Sequence, residues 1–323
     1  MYNEKEKMDH FDAVIIGAGP AGLTAGIYLS RARMKTLILD EGITGGQMVL
    51  THEIANYPGV ESISGFQLAG IMKKQALGFG CELRSNISII RIDLENKRKK
   101  ISLTDGSQYS ADSVILAPGG RPRTLGVPGE NELKGKGISY CATCDGDFFT
   151  GKEIIVVGGG NSALEEAVSL TKYASKVTVV HQFDRFQAFE HAIEEARSNA
   201  RIDFIMESTV AGFHGFEKLE MAEIKNLRTG EITNRRIDGT FIFIGYIPNT
   251  EFLEGIIKLN RRGEIPVSGS VQTAVEGVYA AGDCTAKQYR QVTTAVADGT
   301  IAALAASEYV NQIKTSSKKL MEA

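Results

Sequence analysis

The sequence predicts an α/β protein made of two related nucleotide-binding domains, and three observations carry that prediction. Glycine is abundant, 35 of 323 residues, and many of the glycines fall where a strand turns into a helix. An apolar strand, a glycine turn and a helix occur in that order twice, as "DAVIIGAGPAG" and "EIIVVGGGNSA". After each copy the same succession of elements recurs, so the chain reads as one layout used twice.

In the first copy, strand Asp12–Ile16 leads through the glycine turn to a helix from about Ala21 to Arg33, then to strand Thr36–Leu39. Alternating segments from Ile87 to Tyr109, around the turn-like "ENKRKK" and "TDGS", read as a β-meander. "SVILAPGG" then supplies another buried strand. In the second copy, "EIIVV" and "GGGNSA" precede a helix with Leu164, Ala167, Val168, Thr171 and Ala174 on one face. "VTVV", alternating segments around "LRTGEIT", and "GTFIFIGY" complete the repeat.

Composition narrows the function. At 43% hydrophobic and 23% charged residues the chain is that of a soluble globular protein, long enough for two domains with separate cores. A net charge of -3 offers no electrostatic footprint for nucleic acid. No apolar run reaches the length of a membrane helix, so no membrane partner is expected. The opening "MYNEKEKMDH" is charged and runs into a strand, unlike a secretory leader. Of four cysteines, Cys81 and Cys284 are isolated and two form one C-x-x-C. A cytoplasmic enzyme with one active dithiol is therefore expected, not a disulfide scaffold.

The glycine turns indicate ligands. "GAGPAG" gives Gly17, Gly19 and Gly22 in G-x-G-x-x-G spacing, with Pro20 and Ala21 between them. The first glycine permits the turn, the second lets a pyrophosphate approach, and the third lets helix pack on strand. Asp40 closes the second strand, where an acid bonds ribose hydroxyls. "GGGNSA" gives Gly158, Gly160 and Ala163 in the G-x-G-x-x-A variant, with Asn161 and Ser162 in the turn, so a dinucleotide can dock there. Its discriminating end is anomalous. A 2′-phosphate calls for fixed guanidinium groups, and only Arg185 is near; a 2′-hydroxyl calls for an acid where His181 stands. Gln182 and Asp184 remain as alternatives, as does a relic domain kept for packing.

"YCATCDGDFF" places Cys141 and Cys144 just before the second repeat, at the spacing of a redox dithiol. Asp145 adjoins them and can carry a proton to or from a thiolate. Half a zinc site is the competing reading, but no second cysteine pair completes it and the five histidines lack ligand spacing. Cys81 and Cys284 read as small core residues.

Assembled, these motifs resemble the low-molecular-weight thioredoxin reductases from end to end, through "GAGPAGLTAGIY", "GGQM", "IANYPGV", "YCATCDGDFF", "VVGGGNSALEEA", "FIFIGYIPNT" and "GVYAAGDCTAKQYRQVTTAVADG". The resemblance implies two nested Rossmann-like, FAD/NAD(P)-binding domains, each with a β-meander. Residues 1–121 and 250–323 would form the FAD-binding domain, and residues 122–249 the nicotinamide-nucleotide-like domain carrying the dithiol. FAD contacts would fall on the Gly17 turn and on Asp40, Glu41, Gly45, Gly46 and Gln47. Asn56, Asp283, Arg290, Gln291 and Val292 would complete them, with Asp283 on the ribitol chain. Cys144 would face the flavin, Cys141 would attack the partner's disulfide, and Asp145 would serve as acid–base. The resemblance further implies a homodimer whose partner is thioredoxin or a thioredoxin-like protein.

Three departures qualify it. Where the family shows HRRDxxR, this chain has "HQFDRFQ", with Gln182, Phe183 and Gln187 at the arginine positions. Losing several guanidinium contacts of about 1.5–3 kcal/mol each weakens NADPH by orders of magnitude. Pro118 replaces a usual threonine, and Val292 a common alanine. The expected donor is therefore NADH or a relaxed NAD(P)H preference. The main alternative is a reductase fed by a non-nicotinamide donor such as ferredoxin. Other readings are a flavin-bound redox sensor without turnover and a small-molecule dithiol oxidase; an alkyl-hydroperoxide-reductase flavoprotein would need a further N-terminal dithiol domain.

Overall fold

The computed structural model describes residues 8–51 and 54–322; residues 1–7 of the N-terminal run lie outside it. Contacts divide the chain into two units, one running up to Arg121 and again from Ile247, the other Pro122–Tyr246.

The first unit opens with β1 (Asp9–Ile16), α1 (Pro20–Arg31) and β2 (Thr36–Asp40). β1 begins three residues before the strand expected from sequence. α1 stops short of Arg33, which adopts a left-handed φ of 60° that no helix continues. There follow α2 (Gly65–Gly78), β3 (Glu82–Ser85), β4 (Ile89–Asp93), β5 (Lys99–Leu103) and β6 (Gln108–Leu116). The meander's third strand and the buried "SVIL" strand prove to be one element, β6, which is buried along its length except for the half-buried Gln108 and Asp112. β7 (Gly120–Pro122) leads out.

In the second unit, β8 (Ile138–Ser139) and the one-turn α3 (Ala142–Asp145) precede β9 (Glu153–Val157), α4 (Asn161–Leu170) and β10 (Lys176–Val180). Next come α5 (Glu190–Ser198), β11 (Ile202–Ile205), β12 (Ser208–His214), β13 (Met221–Asn226), β14 (Ile232–Arg236) and β15 (Gly239–Ile242). α4 is shorter than expected. Thr171 closes it, its hydroxyl donating to the Val168 carbonyl at 2.6 Å and accepting from Asn199. β16 (Tyr246–Pro248) returns the chain to the first unit, which β17 (Val278–Ala280) and α6 (Val292–Glu322) complete.

The first unit's main sheet has the order β3-β2-β1-β6-β5-β4, and β17 also pairs with β6. β1 alternates between two cores. Ala13 and Ile15 pack with α1, α2 and α6 residues such as Leu23, Met72 and Ala303, while Val14 and Ile16 pack with Ile101 and Ile265. The second unit's sheet, β11-β10-β9-β15-β8, is parallel throughout. Ile154 and Val156 face α4, and Ile155 and Val157 face the separate antiparallel meander β12-β13-β14. Each unit thus buries both faces of its parallel strands, as such strands require.

Candidate active site

In the first unit the β1–α1 turn is built for a close approach. Gly17 has φ 105°, and a Cβ there would lie 2.2 Å from the Ala117 carbonyl oxygen; one on Gly22 would lie 1.9 Å from the Gly17 carbonyl oxygen. Gly19, at the N-cap, faces open space. Pro20 starts the helix, and no side chain caps it, so its first N–H groups are left for a ligand anion. Asp40 Oδ1 accepts the Ala18 N–H at 3.1 Å, while its Oδ2 is buried without a partner. Burial raises the Asp40 pKa, helped by Glu41, against bonds from the Ala18 and Gly42 N–H groups.

Gly45 and Gly46, both at positive φ, fold back on that turn. The Gly45 N–H meets the Ala18 carbonyl at 2.7 Å, and Gln47 follows, exposed, in a short 3₁₀ turn. Glu41 is engaged elsewhere, accepting the Ile89 N–H at 3.0 Å. Later in the unit, Asn56 donates to Gln291 Oε1 at 3.4 Å. Arg290 pairs with Glu264 at 2.5 Å and reaches the Asp283 carbonyl. Asp283 Oδ1 is a second buried oxygen without a partner, and burial raises the pKa of this carboxyl as well. Val292 begins α6. Two orphaned carboxylate oxygens and a glycine cradle fit a dinucleotide with ribityl and ribose hydroxyls to donate. FAD answers that description.

In the second unit Cys141 and Cys144 form a disulfide, with Cα atoms 5.3 Å apart. Cys141 is the N-cap of α3, and the Asp145 N–H closes that turn onto the Cys141 carbonyl at 3.2 Å. Burial raises the Asp145 pKa, the Ser139 hydroxyl lowers it, and the negative charge of Asp147 raises it further. Ser139, on β8, donates to Asp145 Oδ2 at 2.5 Å and accepts the Cys141 N–H at 3.1 Å. Sequence reasoning passed over Ser139, although a hydroxyl two places before the dithiol was the available signal. It likewise passed over Glu264, which holds Arg290.

The second glycine turn keeps the form of the first. Gly158 has φ 142° and would place a Cβ 2.3 Å from the Phe243 carbonyl oxygen, Gly160 caps α4, and Ala163 is buried beneath. Ser162 is exposed. His181 directly follows β10, near where Asp40 ends β2, yet its ring is used internally. It lies so close under Gly159 that a Cβ there would be 2.2 Å from its Nδ1. Its Nε2 meets the Arg185 carbonyl at 3.1 Å, Phe186 stacks on it, and burial lowers its pKa. The following segment is tied to the turn: the Gln187 N–H bonds the Gly159 carbonyl at 2.7 Å, and the Phe189 N–H bonds Asn161 Oδ1 at 2.7 Å. The side chains of Gln182, Arg185 and Gln187 are exposed.

Cys81 and Cys284 are buried thiols. Burial pushes them up to about 11 and about 12.

Comparison with known proteins agrees with this construction. Residues 11–299 match the family described as pyridine nucleotide-disulphide oxidoreductase. A thioredoxin reductase of Peptoclostridium acidaminophilum is 48% identical over 307 residues, covering 93% of this chain and 97% of the relative. One of Bacillus subtilis (strain 168) is 43% identical, covering 96% and 98%. The crystal structure of thioredoxin reductase from Streptococcus pyogenes MGAS5005 matches with a TM-score of 0.89 and 39% identity, covering 94% of this chain and 99% of that one. With two glycine turns, two orphaned carboxylates and a C-x-x-C disulfide in one chain, these matches lead to one conclusion: the chain belongs to the pyridine nucleotide-disulphide oxidoreductase family, among its thioredoxin reductases of low molecular weight.

Proposed function

We propose that this protein reduces the disulfide of thioredoxin or a thioredoxin-like protein, taking electrons from NADH or from either nicotinamide nucleotide. The observation that carries the reading is the Cys141–Cys144 disulfide with Asp145 in the same turn. The unit holding Asp40 and Asp283 is read as the FAD-binding domain, and Pro122–Tyr246 as the nicotinamide-nucleotide domain. FAD supplies the two-electron chemistry that a peptide chain lacks.

Once two electrons have opened the disulfide, the Cys141 thiolate attacks one sulfur of the partner's disulfide, and the other sulfur leaves as a thiol after taking a proton. The Cys144 thiolate then attacks Cys141 Sγ, re-forming the intramolecular bond and releasing the partner's second sulfur. Asp145, its pKa raised by burial, takes up and returns the proton. The active species is taken to be a homodimer.

The donor follows from the second turn. No guanidinium stands at positions 182, 183 or 187, and His181 is committed to Gly159 and Arg185, so NADPH lacks its phosphate grip. The same commitment of His181 favours a second reading, a donor such as ferredoxin. An anaerobic titration of the oxidised holoprotein with NADH and with NADPH, following the flavin band, separates them. Bleaching by NADH, with NADPH much weaker, is expected. Bleaching by neither, while dithionite still reduces the flavin, would transfer the proposal to the second donor. Failure of the reduced protein to turn over any thioredoxin would leave a redox sensor instead.

A further inference from the structure

The chemistry proposed for Asp145 needs a carboxyl held in one place while the disulfide beside it opens and closes. A side chain at the end of a four-residue turn that carries Cys144, with Cys141 as its N-cap, has little of its own to hold it. Ser139 is outside that turn. It sits on β8, whose neighbour β15 pairs through Thr240 with Ile138 and through Phe241 with Ser139, so its place is fixed by the parallel sheet. It is 5% exposed, and its hydroxyl meets three groups. The hydrogen goes to Asp145 Oδ2 at 2.5 Å, and a lone pair receives the Cys141 N–H at 3.1 Å. The Cys141 carbonyl lies at 3.3 Å from the same oxygen.

We propose that Ser139 is the positioning residue of the dithiol site, joining the backbone of Cys141 to the carboxyl of Asp145 and setting the pH range in which that carboxyl exchanges its proton. The inference rests on the reading of Asp145 as acid–base. A hydroxyl has one hydrogen, and of its two acceptors the carboxyl at 2.5 Å is far nearer than the Cys141 carbonyl at 3.3 Å, so it stabilises the charged form. Burial and Asp147 push the other way. The remaining charged groups on the elements packed around α3 are Glu165 and Glu166 of α4, which are acidic too. Among these neighbours Ser139 is the one group that favours the carboxylate, and it does so from the sheet. It also couples the two events chemically. When Cys141 moves to attack, the strain passes through its N–H to the same oxygen that holds the acid.

The test is a pH profile of single-turnover oxidation of the reduced holoenzyme by a bacterial thioredoxin in its disulfide form. The enzymes compared are the parent, Asp145→Asn, Ser139→Ala and Ser139→Thr. Asp145→Asn is expected to abolish one limb of the profile. Ser139→Ala is expected to move that limb to higher pH and to slow the reaction about tenfold near neutrality, while Ser139→Thr, which keeps a hydroxyl, returns the limb toward its parent position. A uniform fall at every pH, with the limb unmoved, would make Ser139 a packing residue only and overturn the proposal. An unaltered limb in Asp145→Asn would instead overturn the acid–base reading on which it rests. If Ser139→Ala does not fold, Ser139→Gly removes the same hydroxyl with less demand on space, and the same limb on it decides the matter.

Discussion

At the scale of single residues, the chain separates its sulfurs by environment. Cys81 and Cys284 are pushed up to about 11 and about 12 by burial, so at pH 8 roughly one Cys81 in a thousand, and fewer Cys284, is a thiolate. Iodoacetamide at pH 8 is therefore expected to label neither in the native oxidised protein, both after unfolding, and only Cys141 and Cys144 after native reduction; rapid native labelling of Cys81 would contradict the burial argument. The donor end is decided by single residues as well. Gln182, Phe183 and Gln187 are exposed, so arginines there cost the core nothing beyond the edge contact of Phe183 on His181, about 0.5–1.5 kcal/mol. The combined Gln182→Arg, Phe183→Arg, Gln187→Arg variant should tighten NADPH relative to NADH by at least about tenfold for each productive contact. Flavin-bleaching midpoints with the two nucleotides measure it, and an unchanged ratio would mean that the nucleotide is not read at these positions. Sequence made the absence of guanidinium groups visible here, because charge is a property of residue type. It left His181 open, because whether a ring faces a ligand or its own loop depends on Gly159 and Arg185 around it. Ser139 was invisible for the same reason: a hydroxyl's meaning lies in the two partners that folding brings to it.

At the scale of elements, the two strand–turn–helix units look alike but tolerate different changes. α1 is pressed on two sides. A Cβ on Gly22 would meet the Gly17 carbonyl oxygen at 1.9 Å, and on the α6 side Gly299 has so little room that its own Cβ would lie 2.2 Å from the Ala21 carbonyl oxygen. Gly22→Ala must then displace a helix that has nowhere to go, at a cost of about 1–3 kcal/mol, with loss of flavin. The corresponding Ala163 of α4 already accommodates its methyl, so Ala163→Gly should cost the helix propensity, about 1 kcal/mol, and the burial of one methyl group, about 1 kcal/mol more. Melting temperatures and flavin-to-protein ratios of the two variants compare them, and a Gly22→Ala protein with parental values of both would refute the argument. The elements legible beforehand were those with strong periodicity: β1 divides Ala13 and Ile15 from Val14 and Ile16 into separate cores, and α4 sets Leu164 and Ala167 on one face. The helices α2 and α6 were not anticipated. Ser64 and Gln67 form a capping box at the start of α2, a usable signal, but α6 opens "VTTAVADGTIAALAAS", where small residues blur the contrast between faces. Two- and three-residue strands such as β8 and β17 carry no periodicity at all; their neighbours in the sheet define them.

At the scale of the whole molecule, the second unit is continuous in sequence and the first is not, and this asymmetry has a consequence for folding. The first unit lacks essential parts until the chain returns. β17 pairs with β6 from Val278 to Ala280, α6 packs along α1, and Asp283, one of the two orphaned carboxylates, lies in the returning segment. Its two chain ends are held side by side, since the Asn249 N–H bonds the Gly119 carbonyl at 3.0 Å and Arg121 holds both Asn249 and Glu251. In the second unit the Arg123 N–H bonds the Gly245 carbonyl at 2.9 Å, closing its own ends. Each unit is thus complete once its termini are joined or freed, and replacing a long insertion by a short linker lowers the entropy cost of closing the first. A protein in which Arg121 is joined to Ile247 through a few glycines and serines should fold and bind FAD with the parental visible spectrum. Pro122–Tyr246 alone should melt cooperatively, form the Cys141–Cys144 disulfide and bind no flavin, and residues 1–121 alone should bind none. If the joined protein cannot take up FAD while the intact chain can, groups from the second unit must complete the flavin site. Uptake by the joined protein would instead show that the first unit suffices to hold it, because every proposed contact, from the Gly17 turn and Asp40 to Asp283 and Val292, lies within that unit.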